Sequence, residues 1–498
     1  MRQDYNRRAF LKDAALGVSF LTVFKERIGA ASPARQGPNL LFILTDQWRA
    51  QATGYAGNRD VRTPHLDRLA QESVNYSNAV SNCPVCCPYR ASLITGRYPL
   101  THGVFLNDLQ LNTDAVSIAQ AYNRAGYQTG YIGKWHLDGN GRSTYIPPER
   151  RQGFGYFKAL ECTHHYNHSE YYAGNDQTKR VWPGYDAFAQ TDDAIGYLDR
   201  RAENRDPFAL FVSFGSPHAP YDTGPKDPIY QYDPKQLSLR KNVPTTKREK
   251  ARETTAGYYA HITALDTCVG RLLTALKQSE LDRSTIVVFT SDHGDMLHSR
   301  DMLKKQRPWD ESIRVPFLLR LPGTQPDQSK TIEVPISTPD IMPTLLSLSG
   351  LPIPATCEGE DLSQEVLGKK PAPADRAALI LCPSPFGQWT RRMDGREYRG
   401  LRTRRHTYVR ELNGPWLLYD NHEDPFQQNN LIDNPAHSAL QQDLEEKLRA
   451  LLAKTGDPFR SGPELVRRCG YRVDQTETVA YNNSSSFGQV SVLCRDQS

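Results

Sequence analysis

The run Asn39-Leu40-Leu41-Phe42-Ile43-Leu44-Thr45, closed by Asp46-Gln47, decides the fold. It is apolar from Leu40 to Leu44 without alternation, so both faces must be covered, which is the texture of a strand inside a parallel sheet. Two further runs share that texture. Phe208-Ala209-Leu210-Phe211-Val212-Ser213-Phe214 ends in Gly215-Ser216-Pro217-His218, and Thr285-Ile286-Val287-Val288-Phe289-Thr290 ends in Ser291-Asp292-His293-Gly294. Helical spacing lies between them. Residues 117–126 carry Ile118, Ala121, Tyr122 and Ala125, and residues 258–276 carry Ile262, Leu265, Val269, Leu272, Leu273 and Leu276. Strands alternating with helices predict a layered α/β architecture. Polar groups stand just past the ends of the apolar strands, where open α/β sheets place their sites.

From Cys382 onward the texture changes. Residues 398–403 and 406–410 alternate with period two, and Pro415-Trp416-Leu417-Leu418-Tyr419-Asp420 is a third short strand. A helix over 438–454 aligns Leu440, Leu444, Leu448, Leu451 and Leu452. The expected organisation is a catalytic domain over 35–380 and a smaller antiparallel α+β domain over 381–498. The tail after Pro458 carries no clear signal.

Residues 1–34 read as an address. Asn6-Arg7-Arg8-Ala9-Phe10-Leu11-Lys12 precedes an apolar run from Ala14 to Phe24, then small residues Gly29-Ala30-Ala31. The run is shorter than the roughly 20 residues of a membrane-spanning helix. Its paired arginines resemble a twin-arginine signal, implying bacterial export to the periplasm or beyond. No cysteine stands at a cleavage site, so no lipid anchor is expected. The 498 residues suffice for two to four units at roughly 100–200 residues each. Lys plus Arg is 61 against 56 for Asp plus Glu, and the resulting +5 is too weak a field to argue for nucleic acid. Nine cysteines are too few for a disulfide scaffold of this length.

The densest chemistry lies in Cys83-Pro84-Val85-Cys86-Cys87-Pro88-Tyr89-Arg90-Ala91-Ser92-Leu93-Ile94-Thr95-Gly96-Arg97. A redox Cys-x-x-Cys pair, half of a zinc site and a set of buried inert thiols are the bland readings. The first lacks a β-α-β start, the second lacks a partner half-site, and the third leaves Arg90, Arg97 and the Thr-Gly turn unexplained. The segment resembles the signature of the type I sulfatases, Cys-x-Pro-x-Arg followed by Thr-Gly-Arg. That family belongs to the alkaline phosphatase superfamily. The resemblance implies an α/β/α sandwich with a small antiparallel C-terminal domain. It also implies that a separate maturing enzyme oxidises Cys86 to formylglycine. The geminal diol of the hydrated aldehyde would attack sulfur with one hydroxyl, and the second would then expel sulfate. A helix is expected to begin near Pro88, and Arg90 is expected to hold the nucleophile or its metal-bound oxygen.

Further elements extend the likeness. Asp46-Gln47 and Asp292-His293 match the family's divalent-metal ligands, with Cys86 completing the sphere. Many members have Asp where this chain has Gln47 and Asn where it has His293. An oxygen-rich set implies Ca²⁺, with Mg²⁺ as the alternative. Gly133-Lys134-Trp135-His136 resembles a family element, and His218 follows the central strand as in the family. In the block 301–316, spacing to Trp309 marks Lys305, with Lys304 as runner-up. Charge assigns His218 and Lys305 to the leaving group, and His136 and Lys134 to the nucleophile, where a base must collapse the diol. The stretch 162–172, with Arg180 and Trp182, is either a self-packed surface loop or a sugar-binding rim. The implied reaction is hydrolysis of a carbohydrate sulfate monoester. The rival readings are a phosphonate monoester or phosphodiester hydrolase on the same scaffold and an exported glycan-binding relative without activity.

Overall fold

The computed structural model describes residues 37–325 and 327–479. The expected export signal lies outside them. The described residues from Pro38 onward form one compact unit. Its frame is a ten-stranded sheet in the order Lys330–Ile332, Val74–Tyr76, Phe317–Arg320, Thr285–Ser291, Asn39–Thr45, Phe208–Ser213, Gln128–Lys134, Tyr156–Leu160, Glu170–Ala173, Asp176–Val181. The middle five, from Thr285–Ser291 to Tyr156–Leu160, are parallel. Antiparallel strands flank them on both sides.

The uninterrupted apolar runs now have their physical reason. Leu40, Phe42 and Leu44 enter one core with Ala209, Phe211, Ile286 and Val288. Leu41 and Ile43 enter the other with Leu210, Val212, Val287 and Phe289. Side chains alternate between faces, and helices cover both. The first core takes helices Cys86–Thr95, Ile118–Arg124 and Thr338–Leu348, and the second takes Asp186–Asn204 and Arg248–Gln278. Ser117 caps the Ile118 helix in a capping box with Gln120. The long helix begins at Arg248, ten residues before its apolar spacing becomes readable at Tyr258.

A four-stranded antiparallel sheet, Ala377–Cys382, Tyr398–Thr403, His406–Glu411 and Gly414–Asp420, forms the smaller C-terminal part. The helix Ser438–Thr455 lies against it and buries Leu444, Leu448 and Leu452. The expected boundary at 380/381 falls inside the first of these strands. A third apolar cluster joins Met296, Trp309 and Ile313 to Ile380, Tyr398, Val409 and Tyr419 of this sheet. The tail after Pro458, silent in the sequence, holds the short helix Gly462–Arg468. Among the described residues no helix is long and apolar enough to cross a membrane.

Candidate active site

Sheet register brings the carboxylates together. Thr45 pairs with Ser291 in parallel, so Asp46 and Asp292 leave the sheet side by side, and the Asp292 N–H donates to Thr45 O at 3.1 Å. Cys86 arrives from a helix. The Cys86–Thr95 helix starts at Cys86 itself, two residues before the expected Pro88, after extended Val85. The Cys87 N–H donates to Asn107 Oδ1 at 3.1 Å, anchoring this first turn. Thr95-Gly96-Arg97 belongs to the other end of the helix. Gly96 closes it with φ 66°, a conformation a Cβ disfavours, and Arg97 donates to Thr356 O and Asp114.

One ligand atom from each of Asp46, Cys86, Asp292 and His293 lies within 4.8 Å of the others, all buried. Here Sγ of Cys86 takes the place of the oxygens of the expected formylglycine. His293 Nδ1–H donates to Gly294 O at 2.9 Å, which leaves the Nε2 lone pair for the cluster. Nε2 lies 3.3 Å from Cys86 Sγ, 3.5 Å from Asp292 Oδ1 and 3.7 Å from Asp46 Oδ1.

Cations surround this cluster. Lys134 Nζ is 2.7 Å from Asp46 Oδ2, and Lys305 Nζ is 2.9 Å from Cys86 Sγ. Gly133 at φ 105° sets the bend before Lys134, and a Cβ there would come within 2.1 Å of Ser213 O. Arg90 is engaged with the carboxylates of the cluster. Its Nη2 bridges Asp46 Oδ2 and Asp292 Oδ2 at 3.1 Å each, and its Nη1 donates to Ser213 Oγ and Lys134 O. Burial alone would raise the Asp46 carboxyl, but the charges of Lys134 and Lys305 hold it well below the usual range. Burial and the neighbouring Asp46 charge push Asp292 up to about 6. Two carboxylates this close repel each other, and a divalent cation relieves that repulsion on Asp292. Asp46, Asp292 and His293, with oxygen at position 86, therefore suit a divalent metal, and Gln47 adjoins them through its backbone N–H on Asp292.

His218 and Lys305 meet at 3.0 Å between Nε2 and Nζ. His218 Nδ1–H donates to Ala219 O, so Nε2 is the accepting end. Burial and the Lys305 charge hold His218 well below the ordinary histidine range. Lys305 is buried in the site, whereas Lys304 is half-buried and offers its backbone N–H to Asp295.

His136, expected on the nucleophile side, is paired with a carboxylate. Its Nε2 lies 2.8 Å from Asp108 Oδ1, and Arg142 holds the same carboxylate. Burial opposes its charge, but Cys87, Cys162 and Asp108 outweigh burial and push the imidazole well above the ordinary histidine range. A ring in that state donates, and its buried Nδ1 has no protein partner. In the aromatic stretch, Tyr171 and Trp182 stack on each other at 3.9 Å, the self-packed outcome. His164 stacks on His218 at 4.5 Å and brings the stretch to the site. Sequence reasoning passed over Asp108, Ser213, Tyr221 and Asp295. Asp295 stands three residues after Asp292 in the same strand-end turn, a signal that was available; nothing local marks the other three.

The sequence model of the Sulfatase family matches residues 38–351, and that of the N-sulphoglucosamine sulphohydrolase C-terminal region matches 300–454. The chain is 47% identical over 437 residues to an ulvan-active sulfatase of Formosa agariphila, covering 87% of this chain and 84% of the relative. A Bacteroides thetaiotaomicron protein, solved in connection with the metabolism of multiple glycosaminoglycans, superposes with TM-score 0.75 at 28% identity, covering 87% and 99%. The phosphonate monoester hydrolase of Agrobacterium radiobacter superposes with TM-score 0.68 at 26% identity, covering 84% and 96%.

Proposed function

The chain belongs to the sulfatase family, the type I sulfuric ester hydrolases of the alkaline phosphatase superfamily, and from that premise we propose that its substrate is a sulfate monoester on a carbohydrate. One observation carries this reading: Asp46, Cys86, Asp292 and His293 converge within 4.8 Å under the charges of Lys134 and Lys305. Cys86, matured to formylglycine by a separate enzyme, is the nucleophile. Asp46, Gln47, Asp292 and His293 would hold Ca²⁺, with Mg²⁺ as the alternative. When bound, that cation supplies Lewis-acid charge at a sulfate oxygen.

The chain's own groups do the rest. Lys134 and Lys305 face an anion that neither Asp46 nor Asp292 could attract. Arg90 holds the two carboxylates in place. Lys305 Nζ carries the proton for the departing alkoxide, and neutral His218 orients it through Nε2. His136, paired with Asp108 and raised well above the ordinary histidine range, is a donor and leaves the base role to another group. The carbohydrate assignment is supported by the ulvan-active relative and by the polar stretch 163–168 beside His218. The paired arginines at Arg7 and Arg8 support export to the periplasm or beyond.

The test is release of inorganic sulfate from a panel of defined sulfated mono- and disaccharides, run beside an aryl sulfate and an aryl phosphodiester. Turnover of at least one saccharide sulfate is expected. The likeness to a phosphonate monoester hydrolase favours one rival, and a strong preference for the phosphodiester would establish it instead.

A further inference from the structure

Gln47 lies buried between Asp292 of the candidate metal cluster and Asp295. Its backbone N–H donates to Asp292 Oδ1 at 3.0 Å. Its side-chain Nε2 donates to Asp295 Oδ2 at 2.7 Å and to the Tyr221 hydroxyl at 2.8 Å, which uses both amide hydrogens. Tyr221 in turn donates to the same Asp295 oxygen. A carboxylate only accepts, so Asp295 dictates that the nitrogen end of the amide faces it. The acyl oxygen Oε1 is thereby left buried and without a protein partner. A buried acceptor in that condition calls for a donor or a cation.

We propose that Asp295 is a positioning residue, which fixes the Gln47 carboxamide so that its oxygen, and not its nitrogen, is offered to the divalent cation. This rests on the metal reading of the Asp46–Asp292 cluster. It also explains how a neutral Gln can serve where many relatives have a carboxylate: the negative charge is kept one residue further out, at Asp295. The other oxygen of Asp295 has separate work, accepting the backbone N–H groups of Leu297 at 2.7 Å and Lys304 at 2.9 Å. Asp295→Asn preserves that oxygen and alters only the end that meets Gln47. Donor would then oppose donor, and Gln47 would turn over and present hydrogens to the cation.

The experiment is calorimetric titration of Ca²⁺ into chelator-treated wild type, Asp295→Asn, and the double variant Asp295→Asn with Gln47→Glu. The melting temperature of each Ca²⁺-free protein serves as the folding control. Asp295→Asn is expected to weaken the Kd by about 10–100-fold, the usual effect of losing a partner that orients a ligand. In the double variant, the introduced glutamate accepts from the amide of the introduced asparagine and turns a carboxylate oxygen to the cation. Its Kd is therefore expected to return to within about threefold of wild type. Should the single variant melt early, the double variant decides, since both the loop bonds and the charge of the pair are restored. Wild-type affinity in Asp295→Asn, or a loss the double variant does not recover, overturns the proposal. A wild-type protein that takes up no Ca²⁺ overturns the metal reading beneath it.

Discussion

Cys86 is the residue on which the chemistry turns, and its surroundings do not depend on it for support. Sγ is met by Lys305 at 2.9 Å and Lys134 at 3.7 Å, both held in place by other bonds. Cys86→Ala is therefore expected to fold normally while sulfate release falls by at least about 10³-fold. Comparing melting temperature and turnover of the same preparation checks this, and wild-type turnover in the alanine variant would remove Cys86 as nucleophile. Cys86 and Arg90 were legible because their motif is local. Lys305 was legible from its distance to Trp309. The partners of those residues were not: Asp108 is 28 positions from His136, and no pattern of residue types ties them. The same holds for Arg90, whose two carboxylates come from different strands.

Among the elements, the turn after the nucleophile helix carries a pH-sensitive contact. His102, at the end of the short helix Pro99–His102, accepts the Val104 N–H at Nδ1 (3.1 Å) and faces Ser92 Oγ with Nε2 (3.0 Å). Accepting at Nδ1 requires the neutral ring. Burial first, and then Arg97, push its value down to about 3. The unfolded chain takes up a proton near the ordinary histidine value, whereas the folded one does not. This contribution to stability is thus complete above pH 6.5 and is lost as pH falls toward about 3. The slope is about 1.4 kcal/mol per pH unit from this one ring. Urea unfolding of wild type and His102→Gln between pH 7.5 and 5, values spanning the upper part of that window at roughly the slope above, checks it. The variant's acid limb should be shallower by that amount, and parallel profiles would refute the assignment.

At the scale of the whole molecule, the C-terminal sheet braces the catalytic loop. Tyr398 donates to Gln306 O at 3.0 Å, next to Lys305, and Arg402 grips Asp310 through Nε at 3.1 Å and Nη2 at 3.2 Å. Both partners of that ion pair are buried. Removing one leaves a charge without its counterion, which is more damaging than never having had the pair. Arg402→Ala is expected to cost about 3 kcal/mol, the low end of that range, because Arg314 remains 3.6 Å from Asp310. Urea denaturation at pH 7 measures it, with exposed Arg392→Ala as the comparison. A loss no larger than that of the comparison would mean the sheet does not support the loop through this pair.

The sequence by itself determined the central strands, the two-layer covering of the sheet and the identity of most charged groups in the site. Each of these is a matter of local periodicity or of a short motif, and local signals survive without tertiary context. Only the tertiary structure decided who touches whom. Parallel register set Asp46 beside Asp292, Arg90 went to the carboxylates, and Asp108 and Asp295 took hold of His136 and Gln47. Side-chain pairing across distant segments depends on how the strands align and on which buried polar atoms need partners, and neither is written in the neighbourhood of a residue.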